Sequence, residues 1–299
     1  MKTILITGGS GLIGKTLQKK LIDKGYIVTI LSRKKTNNIN QFYWNIDDGV
    51  IEKNAIKQAD YIIHLAGAGI ADKRWTKKRK LELISSRVNS TKLLYQKVKE
   101  FKPELKGFIA ASGVGIYGAT TTNKTFTETE KPANDFLATI CKLWEKESLT
   151  FNKQNIRTVI LRTGVVFSKK DGAFEKIVNP IKKGFGAVLG KGNQFTPWIH
   201  INDLCEMYIQ AIENNKIEGC YNAVASENMT NKKLTFKIAD FLKKNIWLPH
   251  IPSFILKIFF GKMAVLFLKG SKVSNEKIKK TGFNFKYNKL DDALKNLLS

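Results

Sequence analysis

Seven residues near the N-terminus have the makings of an anion cradle. Gly8-Gly-Ser-Gly-Leu-Ile-Gly14 directly follows a strand-like run and opens a segment with helical spacing, the context that gives a glycine spacing meaning. Gly8 permits a tight turn, Gly11 lets the main chain approach a pyrophosphate, and Gly14 lets the helix pack close to a sheet. Ser10, Leu12 and Ile13 complete the turn, whose N–H groups and helix N-terminus face the anion. A glycine turn that serves packing alone is the competing reading. The end of the second strand chooses between cofactors. An NAD site usually carries Asp or Glu there to accept from the ribose 2′-OH, whereas here Ile27–Leu31 runs into Ser32-Arg33-Lys34-Lys35. A carboxylate would repel a 2′-phosphate; a hydroxyl with a guanidinium binds one and can stack on adenine. Ser32 and Arg33 therefore point to NADP(H), and a solvated basic loop remains the competing reading, above all for Lys34 and Lys35.

The elements that must position this turn are legible in the hydrophobic pattern. Short apolar runs at Ile4–Thr7, Ile27–Leu31, Tyr61–Leu65, Gly107–Ala111 and Thr158–Leu161 are separated, through the first four, by segments of helical spacing such as Leu12–Lys24 and Leu81–Phe101. That is the pattern of a parallel sheet covered on both faces by crossover helices. The expected fold is α/β, a Rossmann-type doubly wound parallel sheet with a smaller C-terminal lobe. Residues 1–170 with 195–225 form the first part. Residues 171–194 with 226–299, which include a glycine-rich passage, a strand-like Tyr221–Val224 at the join and an apolar, lysine-dotted tail, form the second.

Composition narrows the function classes. The 299 residues carry a formal net charge of +26, but only six of the basic residues are arginines (33, 74, 79, 87, 157 and 162) and the lysines are spread along the chain. Such a field draws anions in general; readers of nucleic acid concentrate Arg, Lys and aromatics on one element, so no specific nucleic-acid partner is expected. Cys141, Cys205 and Cys220 have neither disulfide parity nor metal-ligand spacing, and no metal is expected. Without a long uncharged apolar run or a signal-peptide pattern, the expected location is the cytoplasm.

The ordered motifs resemble those of the extended short-chain dehydrogenase/reductases. More closely, they resemble the atypical epimerase-family group that ends in a small domain of uncharacterised role. The resemblance runs nearly end to end, through Leu65-Ala-Gly67, Arg74-Trp75, Ile84-Ser-Ser-Arg87, Ser112-Gly-Val-Gly-Ile-Tyr-Gly118, Phe126-Thr-Glu128, Asp135-Phe-Leu137, Trp144-Glu145, Arg162-Thr-Gly-Val-Val166, Gln194-Phe-Thr-Pro-Trp-Ile-His200 and Asp203. It implies that Leu65, Ala66 and Gly67 line the nicotinamide-side ribose. It also implies that Glu82 and Arg87 sit on the helix that reaches the cofactor, and that Val165 or Val166 lies near the carboxamide. Taken alone, Arg87 reads equally well as a surface helix arginine.

The same resemblance exposes a gap in the chemistry. The wider superfamily uses a Tyr-x-x-x-Lys helix, whose lysine lowers the tyrosine pKa for proton exchange. Anchored on Glu145, those places hold Leu137 and Cys141, neither of which can do that work. Tyr117, with Ser112 upstream, is the remaining phenol near a strand end, and a packed aromatic is its competing reading. His200 is the other candidate proton carrier, set against a hydrogen-bonded structural histidine between lobes. For His64 and His250 the structural reading stands. Three expectations follow: an NADP(H)-dependent oxidoreductase, epimerase or dehydratase acting on a small-molecule substrate; a cofactor-binding sensor without turnover; or, from charge and the apolar tail alone, weak association with nucleic acid or an anionic membrane surface. Phe254–Leu268, interrupted by Lys257 and Lys262, is too short to span a bilayer. A packed helix is its first reading and interfacial membrane binding its second.

Overall fold

The computed structural model describes residues 1–299. Its strands are β1 (Thr3–Thr7), β2 (Ile27–Ser32), β3 (Gln41–Asn45), β4 (Val50–Ile51), β5 (Tyr61–His64), β6 (Gly107–Gly113), β7 (Thr125–Phe126), β8 (Thr158–Thr163), β9 (Val165–Phe167), β10 (Phe195–Thr196), β11 (Trp198–His200), β12 (Gly219–Ala223), β13 (Met229–Thr230) and β14 (Lys272–Val273). The helices are α1 (Leu12–Asp23), α2 (Lys53–Lys57), α3 (Lys77–Phe101), α4 (Phe136–Ser148), α5 (Ala173–Lys182), α6 (Ile201–Glu213), α7 (Asn231–Phe241), α8 (Ser253–Phe260), α9 (Val265–Leu268), α10 (Glu276–Lys279) and α11 (Leu290–Leu298).

The main sheet has eight strands in the order β12-β8-β6-β5-β1-β2-β3-β4, parallel throughout except at the β3–β4 hairpin. Every residue of β1 and β5 is buried, because crossover helices cover both faces. Alternation along β1 sends Ile4 and Ile6 into a core with α1 and α6, and Leu5 into a second core with α3. The chain leaves β1 toward β2 on one side and returns to β5 on the other, so a crevice opens beyond Thr7 and His64, which are in register. Ligands of open α/β sheets bind at such a switch point.

A third core joins α5, α7 and α11 through Phe174, Val178, Leu234, Ile238, Leu294 and Leu297, with Phe167 and Trp198 from β9 and β11. The tail beyond it is strapped across the first half: β14 pairs with β7, Ile278 and Phe283 enter the core beneath α6, and Arg74 donates to the Ile258 carbonyl at 3.2 Å. The segment expected as one packed helix over Phe254–Leu268 is broken. Gly261 takes φ +57° at the end of α8, a short 3-10 turn follows, and α9 resumes at Val265. Phe254, Ile258 and Phe259 are left exposed. No helix is long and apolar enough to cross a membrane.

Candidate functional site

The glycine turn divides its residues between packing and an open cradle. Gly8 sits at φ +69°, and a Cβ there would lie 2.9 Å from the Leu65 carbonyl carbon. A Cβ at Gly14 would lie 2.5 Å from the Gly8 carbonyl oxygen and 2.7 Å from Gly9 Cα, so only glycine lets α1 seat against the turn. Gly11 differs: its Cβ would meet one atom, the Gly8 oxygen, at 3.3 Å. A side chain at Gly11 would press on that one backbone oxygen by a few tenths of an ångström, far less than at Gly14, and would otherwise enter the cleft that Gly11 lines. Gly11 is also the N-cap of α1, with no side chain capping the helix and no acidic residue in its first turn. The leading N–H groups of Leu12 and Ile13 thus meet no capping side chain, which suits an anion. A cleft of about 770 Å³ opens here, lined by Ser10 and Gly11 on the turn, Lys15 and Thr16 on α1, and Lys169, Lys170 and Asn202.

At the end of β2, the Ser32 hydroxyl accepts from the Lys34 N–H at 3.0 Å and Arg33 is exposed. Neither Arg33 nor Arg87 is in an ion pair. The loop after β5 is held from below: the Thr7 hydroxyl accepts from the N–H groups of Leu65 and Ala66 at 3.2 and 3.1 Å and meets His64 Nδ1 at 2.7 Å. His64 Nε2 meets the Ser90 hydroxyl at 3.2 Å. Burial drives the His64 pKa down to about 3, which keeps the ring neutral as a structural link. Gly67 lies against Arg87, whose Cζ would be 3.1 Å from a Cβ at Gly67. The Arg87 guanidinium stacks over Trp144 at 5.0 Å and donates to the Leu83 carbonyl, and burial pushes it below its ordinary pKa. Glu82, also on α3, is exposed and pairs with Arg79 at 2.8 Å; that hydrogen bond holds its carboxyl below the usual range. Val165 opens β9 and donates its N–H to the Pro197 carbonyl.

The corner expected to carry proton chemistry is occupied by internal partners. The Ser112 hydroxyl donates to Glu145 Oε1 at 2.7 Å, and Glu145 grips Arg162 through two hydrogen bonds of 2.9 Å, with both side chains 7% exposed. Burial works against the Arg162 charge, but the hydrogen bonds and attraction of Glu145 outweigh it and raise its pKa. Arg162 also donates to the Tyr117 hydroxyl at 3.1 Å, which donates to Asn222 Oδ1 at 2.6 Å. Tyr117 stacks on Phe126, and burial carries its phenol up to about 12. His200 caps α6 by accepting the Asn202 N–H at Nδ1, meets Asn296 through Nε2 at 3.1 Å and stacks on Tyr287 at 3.8 Å. Burial lowers its pKa to about 4. The structure therefore gives Ser112, Tyr117 and His200 each another task, and His200 does not titrate near neutrality. Leu137 and Cys141 pack against Gly115 and Gly113, and burial raises the Cys141 thiol to about 11.

Known proteins match this arrangement along its whole length. The profile described as "NAD dependent epimerase/dehydratase family" matches residues 4–223. The chain belongs to that family. A second profile, "Domain of unknown function (DUF1731)", matches residues 251–297. Among epimerase-family proteins, the chain is 36% identical to "Epimerase family protein YfhF" of Bacillus subtilis (strain 168), over 99% of this chain and 98% of that one. Among solved structures it is similar to human epimerase family protein SDR39U1 (isoform 2) with NADPH, at 28% identity and TM-score 0.88, covering 99% of this chain and 98% of that one. UDP-glucose 4-epimerase of Thermotoga maritima, solved with UDP-glucose, shares the fold at 20% identity and TM-score 0.77, covering 98% and 96%.

Two features of this epimerase-family site escaped the sequence reading. The Glu145–Arg162 pair joins α4 to β8, residues 17 apart that belong to no local pattern. The Thr7–His64–Ser90 chain joins two strand ends to α3. A polar residue at or one short of the end of each of two apolar runs, Thr7 and His64, is the available signal, since neighbouring parallel strands bring such ends together.

Proposed function

We propose that this epimerase-family protein is an NADP(H)-dependent oxidoreductase, epimerase or dehydratase acting on a small molecule. Gly8, Ser10, Gly11, Leu12, Ile13 and Gly14 hold the pyrophosphate, and Ser32 and Arg33 hold the 2′-phosphate. Leu65, Ala66, Gly67, Arg87 and Val165 flank the nicotinamide half, and Glu82, on the same helix as Arg87, pairs with Arg79, which donates to the Gly69 carbonyl of the loop after β5. The observation that carries this reading is the cleft at Gly11 beside an uncapped helix start, in a turn whose other glycines are more closely packed. The NADPH named for the human SDR39U1 structure supports the choice of cofactor. When bound, that cofactor supplies hydride transfer. This chain's residues orient it, and the accompanying proton passes through water or substrate, because the hydroxyl of Tyr117 and both nitrogens of His200 already have partners.

A second reading, a cofactor-binding sensor without turnover, is favoured by Leu137 and Cys141 at the places of the superfamily's acid-base pair. Calorimetry with NADPH and NADH tests the binding claim. A contact to a charged phosphate contributes about 1.5–3 kcal/mol, so NADPH should bind roughly tenfold or more tightly than NADH, and Arg33→Asp should reverse the order. Equal affinities would remove NADP(H) from the proposal. Consumption of NADPH across a panel of carbonyl compounds and nucleotide sugars separates the readings: turnover supports the enzyme, and tight binding without turnover supports the sensor.

A further inference from the structure

Apart from Met1, Ile39 and Leu81, which stand singly, the most exposed apolar side chains of the fold gather near α8. Phe254, Ile258 and Phe259 of α8 are 62–68% exposed, as are Trp247 and Phe185. These residues belong to neighbouring segments. Trp247 Nε1 donates to the Gly184 carbonyl beside Phe185. The Gly190 N–H donates to the Ile251 carbonyl and the Ile251 N–H to the Val188 carbonyl, two residues before α8 starts. α8 is held by Leu256, its one buried residue, and by half-buried Ile255 and Phe260, and it turns Phe254, Ile258 and Phe259 to solvent. Monomeric proteins rarely leave such a cluster uncovered.

The charge around the cluster says what covers it. From position 241 to 275 there is no Asp or Glu but six lysines (243, 244, 257, 262, 269 and 272), and from 176 to 202 there is again no acid but four lysines (176, 182, 183 and 191). None of these ten forms an ion pair. Beside α8 a groove of about 440 Å³ has Ala264, Val265 and Leu268 in its lining together with Lys257, Lys262 and Lys269. Apolar residues for acyl chains with lysines for headgroups is the chemistry of an interfacial anchor. A polar protein partner would leave the phenylalanines unsatisfied, and a second basic copy would repel. We infer that this face docks on an anionic lipid bilayer, with Phe185, Trp247, Phe254, Ile258 and Phe259 entering the headgroup region and the lysines meeting acidic lipids. The helix lies on the surface and does not cross it.

Trp247 is a built-in reporter, because the other four tryptophans, Trp44, Trp75, Trp144 and Trp198, are buried. The full chain is to be mixed with vesicles of phosphatidylcholine alone or with about 30% phosphatidylglycerol, at low and raised salt. Expected results are sedimentation with the anionic vesicles only, weakened by salt, and a blue shift in emission that Trp247→Phe removes. The triple variant Phe254→Ser, Ile258→Ser, Phe259→Ser alters exposed positions and should melt like the parent while losing roughly tenfold or more in vesicle retention. Lys257→Glu with Lys262→Glu should weaken retention similarly, and Lys146→Glu with Lys153→Glu, on exposed positions elsewhere, should do so far less. Several results would overturn the assignment. These are no retention on anionic vesicles, equal retention of the triple variant, equal sensitivity to both lysine pairs, or self-association in solution that the triple variant abolishes without any vesicle binding.

Discussion

Two corners of the same crevice handle polar groups in opposite ways. At the phosphate turn the helix start has no side-chain cap, Gly11 lines the cleft and Arg33 has no carboxylate partner. Under α4, Ser112, Glu145, Arg162, Tyr117 and Asn222 form one connected set of hydrogen bonds. Buried polar groups that serve the fold find partners within it, whereas groups meant for a ligand are left waiting. The contrast separates a binding corner from a structural one, and it does so inside a region where the superfamily's resemblance implies chemistry at both.

The sharpest test lies within the binding corner, between two glycines three residues apart. Gly14→Val would force a Cβ onto backbone atoms at 2.5–2.8 Å, and little folded protein is expected. Gly11→Val should still fold, with a lowering of the melting temperature far smaller than that of Gly14→Val, yet lose NADPH affinity by about 100-fold or more, on the order of 3 kcal/mol. Calorimetry on the folded Gly11→Val protein decides the matter; retained affinity would mean that the turn does not hold the phosphates.

The structural corner should show the reverse. Glu145→Ala leaves the Arg162 guanidinium buried without a carboxylate, a loss that typically costs about 3–5 kcal/mol. Denaturant unfolding should register it, while the NADPH dissociation constant of the folded fraction stays within about threefold. A large change in affinity with little loss of stability would show that Glu145 faces the ligand.

These differences explain what the sequence could and could not reveal. Strands β1, β2, β5, β6 and β8 were legible because burial on both faces makes them continuous apolar runs, and the turn was legible because its chemistry is local. β3, Gln41-Phe-Tyr-Trp-Asn45, was missed: only Trp44 is buried, so its pattern carries neither an apolar run nor a clean alternation. α3 starts ahead of the apolar stripe that marks it in the sequence, because Thr76 caps the helix by accepting from the Arg79 N–H. The occupied state of Tyr117 was beyond reach, since its partners Arg162 and Asn222 come from β8 and β12.

A smaller effect comes from His200, which joins the cleft wall to α11. Its folded pKa of about 4 lies below the ordinary value of 6.5, so between these pH values the unfolded chain binds the extra proton. The stability it contributes is present above pH 6.5 and is lost as pH falls toward about 4, by at most ~3 kcal/mol. His64, depressed to about 3 by burial, acts in the same direction. Urea unfolding as a function of pH should therefore show a decline across this window, and His200→Gln should flatten it without abolishing it.

The smallest expected effect is the most discriminating for chemistry. Tyr117→Phe keeps the ring that stacks on Phe126 and removes only a hydroxyl that accepts from Arg162 and donates to Asn222. Leaving those groups short of one partner should lower stability by about 1–2 kcal/mol, with NADPH affinity unchanged. With its pKa raised to about 12 by burial, the phenol is neutral at physiological pH and its proton is held by Asn222. Any NADPH-consuming activity should accordingly survive the substitution nearly intact, since losing a general acid-base residue costs a rate factor of about 10²–10⁴. A drop of that size, in a variant that still binds NADPH, would mean that the hydroxyl leaves Asn222 during turnover, and the corner under α4 would then belong to the active site after all.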